Sequence, residues 1–528
     1  VAQHPSVAAR VALSTAAVAG VFFAHTSLHG DQLLYQWTEL ENDIALLPSL
    51  QARVLSYGYV HVRYLLKLAW PFDLCYDHGF SCIPRVESIW DQNNLLTLWL
   101  YASLAAVVVY AIASKHKLLL WALALLIVPF VPASHVAFPV GTVLGERLLY
   151  LPSSGFVLAS ALLLVDGLLL LTDQIQALTS KLKGPKSGGS KVKLRGGAIV
   201  STVVLVLMLG VHARHSVHRS ADWTSELRLF ESALQVCPRS LKVLNNLALR
   251  LLTESPESTR RASLILDEAL SISPNFTSAL FNKGLAHHNL HEYRESIHYF
   301  NQTAEVNPGN LKAKASMGRA FMLLGREYMV QGDSLSGSAL LERATQIIEE
   351  TMARGFNAPF VFAARATIAF EQEDWSTAVS YYRQTEAANA QRRQQGGGAA
   401  DVYPEGEVFN MLGSSLRKVG DKAAALQVFN QGIEVAPTSF EIWANAAALY
   451  TDTGELDKAL AYYSKALAIQ PNSPELVNNI GWLYEVQGKL QDAAASYERA
   501  LELLKPHSHP QIERNLANML RRLRQDGE

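Results

Sequence analysis

Two kinds of hydrophobic pattern divide this chain and demand two different surroundings. Residues 1–215 contain unbroken apolar runs of bilayer-spanning length, and residues 241–506 carry apolar residues at helical spacing in a unit that recurs every 34 residues. A long run with no polar face buries nothing selectively and suits lipid. A helical stripe that alternates with charge suits a water-facing array in which each unit packs on the next.

The apolar runs lie near residues 7–25, 94–114, 117–131, 153–172 and 197–212. Read as five crossings, they make residues 1–215 the C-terminal part of a polytopic helical membrane domain. The stretch from Val54 to Trp70 is also apolar and aromatic, but His61, Arg63 and Lys67 interrupt it, which suits a helix lying at an interface rather than across it. Between the fourth and fifth runs, residues 173–195 hold Lys181, Lys183, Lys186, Lys191, Lys193 and Arg195. Basic loops stay on the cytoplasmic side. Loops 26–93 and 132–152, and everything after residue 215, then fall on the lumenal side.

Net charge excludes one class of partner. With 46 Lys and Arg against 47 Asp and Glu, the chain has no basic excess to neutralise a phosphate backbone, so no nucleic-acid partner is expected. The three cysteines, Cys75, Cys82 and Cys237, are too few for a disulfide-built fold. Cys75 and Cys82 either pair, if their loop faces an oxidising compartment, or remain two buried thiols. His212, His215 and His218, and likewise His287, His288 and His291, read as surface histidines, and no metal centre is expected.

Pro274 and Pro308, and again Pro437 and Pro471, are one 34-residue period apart, the tetratricopeptide spacing. Units open near 241, 277, 311, 359, 406, 440 and 474; the third carries an insertion and the fourth is degenerate. Residues 216–240 read as a junction helix, 391–406 as a flexible loop with Gly396, Gly397 and Gly398, and 507–528 as a capping helix. The predicted fold class is thus all-α, a polytopic helical membrane domain followed by a tetratricopeptide α-solenoid. Asn246, Asn282, Asn445 and Asn479 recur at one repeat position, where a row of carboxamides suits an extended peptide backbone. Asn275 and Asn301 each open an Asn-x-Thr acceptor for N-glycosylation, which accords with lumenal repeats.

In the loop 132–152, Glu146 and Arg147 place an acid beside a base at a membrane face, where charge persists only if partnered or working. Phe138 to Gly155, the run Pro71 to Asp77, Ile83-Pro84, Ser88 to Asp91, and the junction Asp222-Trp223, Phe230 and Cys237-Pro238 together resemble the transmembrane and tetratricopeptide-repeat-containing O-mannosyltransferases. The resemblance covers essentially the whole chain and implies a GT-C type glycosyltransferase, multi-pass in the endoplasmic reticulum membrane. Such an enzyme moves mannose from dolichyl phosphate mannose to Ser or Thr of secretory-pathway proteins. Its partners are then membrane lipid, a dolichol-linked sugar donor and protein acceptors, with no nucleotide sugar and no dissociable cofactor.

That chemistry needs a carboxylate to take the hydroxyl proton and a cation to hold the departing phosphate. Arg147 is the candidate cation, with Lys67 and Arg85 behind it, while Glu146, Asp77 and Asp91 are the lumenal acids. The family's acidic motif in the first lumenal loop has no counterpart here, since the chain has no Asp-Asp pair and its Asp267-Glu268 lies in a repeat. With Val1 in place of Met, the chain reads as truncated at its N-terminus and, by itself, inactive as a transferase. The alternative reading is a non-catalytic scaffold whose spans anchor a protein-binding array.

Overall fold

The computed structural model describes residues 42–79, 82–136, 139–182, 190–396, 398, 402–505 and 509–525. They form two compact units, Val1–Asn282 and Lys283–Glu528. The described regular structure is helical throughout.

In the first unit, α1 (Leu50–Ala69) starts at Ser49, whose hydroxyl accepts from the Ala52 N–H. It is the hub of a core in which Val60 and Tyr64 pack with Ile83 and Val86 from one loop and Val143, Leu144 and Leu149 from another. Tyr57, Tyr59, Val60, Val62 and Tyr64 are buried in this core, while Leu50, Val54 and Leu66 of the same helix are exposed.

Next come α2 (Asn93–Ala113) and α3 (Lys117–Ile127), then a 3-10 turn (Val128–Ala133), a second 3-10 turn (Glu146–Leu149), and α4 (Tyr150–Leu182). Among the described residues two helical stretches are long and apolar enough to cross a membrane, Asn93–Ala113 and Glu146–Gly167. Along α2, Leu95, Leu98, Trp99, Val109 and Ile112 are exposed, as lipid-facing side chains are. The run expected to cross at 117–131 is α3 continued directly by the 3-10 turn, an apolar helix over Lys117–Ala133 that is shorter than the two candidate spans, tightened at its end by Pro129 and Pro132. The run at 7–25 lies outside the described residues.

The loop expected at 173–195 is also corrected. Helix α4 continues to Leu182 and α5 (Ser190–Asp222) opens at Ser190, so the predicted 197–212 segment lies inside α5 and residues 183–189 alone stand between the two helices, outside the described residues. The first helix-breaking pair in that sequence is Gly184-Pro185, and six basic side chains do not by themselves stop a helix. The polytopic count of five is therefore not established by the described helices.

The junction is α6 (Glu226–Val236), capped by the Ser225 hydroxyl, and shorter than the expected 216–240 because α5 runs through to Asp222. Helix pairs then begin at α7 (Leu241–Leu251) with α8 (Pro256–Ile272), and α9 (Thr277–Asn289) follows.

The second unit pairs α9 with α10 (Tyr293–Val306), α11 (Leu311–Val330) with α12 (Ser334–Ala353), and α13 (Pro359–Glu371) with α14 (Trp375–Gln394). It continues with α15 (Glu405–Val419) and α16 (Lys422–Val435), α17 (Phe440–Asp452) and α18 (Leu456–Ile469), α19 (Pro474–Val486) and α20 (Leu490–Leu504), and the terminal α21 (Pro510–Gln525). One packing rule makes the pairs: a Gly or Ala on the first helix meets an aromatic ring about half a period later. Gly284 faces Phe300, Gly413 faces Phe429 and Gly481 faces Tyr497; a Cβ at Gly413 would stand 2.5 Å from the Phe429 ring. The insertion in the third unit is absorbed as length, since α11 and α12 each have 20 residues.

Residues 391–406 are less free than their glycines suggest. Helix α14 runs through Arg392 and Arg393 to Gln394, and Arg393 pairs with Glu405 at the far end of the loop.

Candidate functional site

Glu146 stands at the centre of the first unit's polar cluster. The preceding Gly145 is held by its N–H, which donates to the Tyr64 hydroxyl at 2.9 Å, and this fixes where the 3-10 turn starts. From there Glu146 Oε1 accepts from the Cys75 N–H at 2.8 Å and lies 2.9 Å from His78 Nε2. Lys67 Nζ is 3.9 Å away. Lys67 is 6% exposed and its ammonium has no hydrogen-bond partner, so burial drives its pKa below the usual lysine value while Glu146 opposes the shift.

Two histidines hold the roof of this cluster in the neutral form. The Val140 N–H donates to His135 Nδ1 at 3.2 Å, which leaves Nε2 protonated toward the Val143 carbonyl at 3.0 Å. The ring stacks on Tyr57 at 4.4 Å, and burial takes its pKa down to about 4. His61 bridges the Tyr101 hydroxyl and the Ser134 carbonyl, at 2.5 and 2.6 Å, and burial lowers its pKa too. These rings are braces.

The loop carrying Cys75 is welded to the first repeat. Cys82 forms a disulfide with Cys237, at the end of α6, and Cys75 stays a free buried thiol that burial pushes up to about 11. The predicted choice between a Cys75–Cys82 bridge and two thiols is corrected on this point. The partner lies 155 residues away and was chosen by the packing of Cys75 and Cys82 against Ala233, Cys237 and Val243. Asp77 pairs with Lys242 on α7 and accepts the Gly79 N–H at 2.8 Å, while Asn246 donates to the Tyr76 hydroxyl at 3.0 Å.

The remaining candidates are dispersed. Arg147 is exposed at the start of the apolar helix 146–167 and forms no ion pair among the described residues. Asp91 accepts the Asn93 N–H at 2.8 Å, closing the turn that leads into α2. Arg85 binds buried Asp43 at 2.8 Å. Asp77, Asp91 and Arg85 thus spend their charge on holding loops, and Glu146 and Arg147 point to different surroundings although adjacent in sequence.

The family profile described as "Protein O-mannosyl-transferase TMTC, DUF1736" matches residues 32–105, and tetratricopeptide profiles match 277–310, 406–439 and 438–505. "Protein O-mannosyl-transferase TMTC3" of Mus musculus is 31% identical over 263 residues, covering 49% of this chain and 26% of that one. "Protein O-mannosyl-transferase TMTC1" of Homo sapiens is 34% identical over 236 residues, covering 44% and 24%. These matches are consistent with the TMTC family. It spans about a quarter of the length of these relatives. Among solved structures, "Crystal structure of APC/C hetero-tetramer Cut9-Hcn1" aligns with a TM-score of 0.40 at 14% identity, covering 64% of this chain and 61% of that one.

Two of the predicted asparagines are engaged between repeats. Asn282 donates to Asn245 at 2.9 Å, and Asn445 donates to Asn410 at 2.7 Å, so each carboxamide links one repeat to the preceding one. Asn479 bonds the Tyr463 side chain. Asn410 occupies the same repeat position and went unnoticed, whereas Ser316 and Ala364 interrupt the row in the third and fourth units.

The site also contains residues that sequence reasoning passed over: His78 and Lys242. The spacing Cys75-x2-His78-x3-Cys82 was the available signal for His78. Nothing local marks Lys242, and Tyr76 was marked only as part of the run Pro71 to Asp77. The histidines read as surface groups are partly interior: His287 stacks on Tyr299 at 5.3 Å, His288 is half-buried with Nδ1 unpartnered, and His215 packs on Phe72 at 4.5 Å.

Proposed function

We propose that this chain works within a protein O-mannosyltransferase of the endoplasmic reticulum membrane, taking mannose from dolichyl phosphate mannose and placing it on Ser or Thr of proteins held by the repeats. The observation that carries the reading is the weld between loop and repeat. The 71–92 loop lies in the segment that matches the family, and Asp77, Tyr76 and Cys82 fasten it to Lys242, Asn246 and Cys237. A loop beside the membrane helices and the first repeat are thereby built as one piece.

In this reading Arg147 grips the dolichyl phosphate. Its guanidinium is exposed, always charged and placed where an apolar helix begins, as a lipid-borne phosphate requires. Glu146 is a positioning residue: its oxygen is occupied by the Cys75 N–H and His78, and it fixes the turn that presents Arg147. Among the described residues no carboxylate is assigned the proton-accepting role. The repeats sit in the lumen, and the asparagine row, with one N–H of Asn282 and Asn445 already used, offers its remaining amide groups to an acceptor backbone.

The test is binding by the purified chain in detergent. Dolichyl phosphate affinity should fall at least about tenfold in Arg147→Ala, the loss of one charge-assisted contact, and less in Arg147→Lys. Affinity for an unfolded Ser/Thr-rich peptide should fall when Asn246, Asn282, Asn445 and Asn479 are all changed to Ala. Peptide binding with no dolichyl phosphate binding at all would leave the scaffold reading in its place.

A further inference from the structure

All three cysteines of the chain meet one histidine at a single buried point in the first unit. Cys75 Sγ, Cys237 Sγ and a ring nitrogen of His78 lie within 4.8 Å of one another, and His78 Nδ1 is 3.3 Å from Cys82 Sγ and 3.4 Å from Cys237 Sγ. We propose that the dithiol form of this protein, with the Cys82–Cys237 bond reduced, binds one zinc-type divalent ion through Cys75, His78, Cys82 and Cys237.

A disulfide needs two cysteines, and this site supplies two further soft donors of the kinds that zinc takes. Four ligands of the composition Cys3His fill a tetrahedral shell, with the metal about 2.3 Å from sulfur and 2.0–2.1 Å from nitrogen, roughly. Ligand atoms on such a shell stand about 3.5–4 Å apart, so closing the observed cluster on an ion asks for small side-chain movements. The chain order Cys75-x2-His78-x3-Cys82 puts three ligands on one short loop and the fourth, Cys237, on the corner between α6 and α7. Short local spacing plus one distant ligand is how structural zinc sites clip a loop to a helix end.

The surroundings of His78 support the same assignment. Its Nε2 faces Glu146 Oε1 at 2.9 Å, so the Nε2 proton goes to the carboxylate and Nδ1 presents its lone pair to the sulfurs. A carboxylate on the far nitrogen of a ligating imidazole orients the ring and raises its basicity. Lys67, 3.9 Å from the same carboxylate oxygen, places a buried cation beside a centre that would carry three thiolates.

A dithiol reductant gives two electrons to the Cys82–Cys237 bond and becomes a disulfide, leaving two thiols. Metal binding then releases three thiol protons to solvent and forms three metal–sulfur bonds and one metal–nitrogen bond. The loop stays clipped to the corner in either form, by a covalent bond or by the ion.

The inference is independent of the mannosyltransferase reading and is tested without activity. The full chain in detergent, reduced with a phosphine and checked for retained helix content by circular dichroism, is titrated with Co2+. The expected result is one equivalent bound with thiolate-to-cobalt charge-transfer and tetrahedral d–d bands, bleached by Zn2+, and no such bands in the oxidised chain. Cys75→Ala and His78→Gln should each weaken Zn2+ binding by 10-fold to 100-fold in chelator competition. Because either variant could fail to fold, Cys75→Ser, which keeps the size of the side chain and removes only the thiolate ligand, is the second probe, with an expected loss of at least about tenfold. A folded, reduced wild-type chain that shows no cobalt bands, or one whose bands are the same in Cys75→Ala and His78→Gln, overturns the proposal.

Discussion

Asn389 closes both backbone bonds of Tyr403: its Nδ2 donates to the Tyr403 carbonyl and its Oδ1 accepts the Tyr403 N–H, each at 2.8 Å. A single carboxamide at the end of α14 does for this loop what a strand partner does in a sheet. Asn389 is 1% exposed and Tyr403 9%, so neither bond competes with water.

Replacing Asn389 with Ala leaves a buried donor and a buried acceptor without partners. Each such group costs about 1–3 kcal/mol, and the variant should lose roughly 2–4 kcal/mol in all. Thermal melting checks the loss. Limited proteolysis should also cut faster within residues 395–404, where the wild-type loop is tied at its end.

Lys67 and Glu146 are an ion pair with unequal dependence. Lys67 is the more deeply buried, so Glu146→Gln strands an ammonium and should cost about 3–5 kcal/mol, as broken buried pairs do. Changing both, Lys67→Met with Glu146→Gln, should recover a good part of that loss. A double-mutant cycle read by melting in detergent decides it, and additive losses would mean that the two do not interact.

His288 sets a pH limit on the second unit. Burial, helped by Arg319 and His291, brings its pKa to about 4, against about 6.5 in the unfolded chain. Between those values the unfolded chain binds more protons, so the stability present above pH 6.5 is lost as pH falls toward 4. The loss should reach about 1–3 kcal/mol, allowing for partial exposure. Urea midpoints at pH 7 and pH 4.5 check it, with His288→Gln showing a shallower slope than wild type.

Gly155 permits a backbone crossing between α4 and α3. A Cβ there would stand 2.6 Å from the Ala122 carbonyl oxygen and the Leu125 carbonyl carbon, and main-chain atoms cannot rotate aside. Gly155→Ala should cost about 1–3 kcal/mol, more than the same change at Gly167, where open space surrounds the site. Detergent-solubilised melting temperatures of the two variants make the comparison.

The two glycosylation acceptors differ in the folded chain. Asn275 is exposed in the turn before α9, while Asn301 lies on α10 with Nδ2 donating to Glu305 at 2.7 Å and Thr303 fully buried. Expression in microsomes should give one mobility shift, lost in Asn275→Gln and kept in Asn301→Gln. No shift at all would count against lumenal repeats.

The helical period was readable because it repeats: prolines 34 residues apart and a small residue opposite each aromatic are local signals that recur, and recurrence separates them from chance. The apolar runs were legible only as composition. Residues 117–131 have the composition of a crossing, yet after Ile127 the α-helix tightens into a 3-10 turn around Pro129 and Pro132, and hydropathy averaged along a run does not register that change. Glu146 stood out as a charge beside lipid, but its partners Lys67 and His78 come from segments about 70 residues earlier, with no pattern to announce them.

The sequence by itself determined that this chain is a helical protein, that its rear half is a tetratricopeptide array, and that it resembles the TMTC family, because period, hydropathy and motif are properties of neighbouring residues. The tertiary structure alone decided that Cys82 takes Cys237 and not Cys75, that Asp77 and Tyr76 fasten to the first repeat, and that Asn282 and Asn445 bond from repeat to repeat. Those pairings depend on which surfaces meet once helices pack. Packing is a sum over the whole core, and no single stretch of sequence contains it.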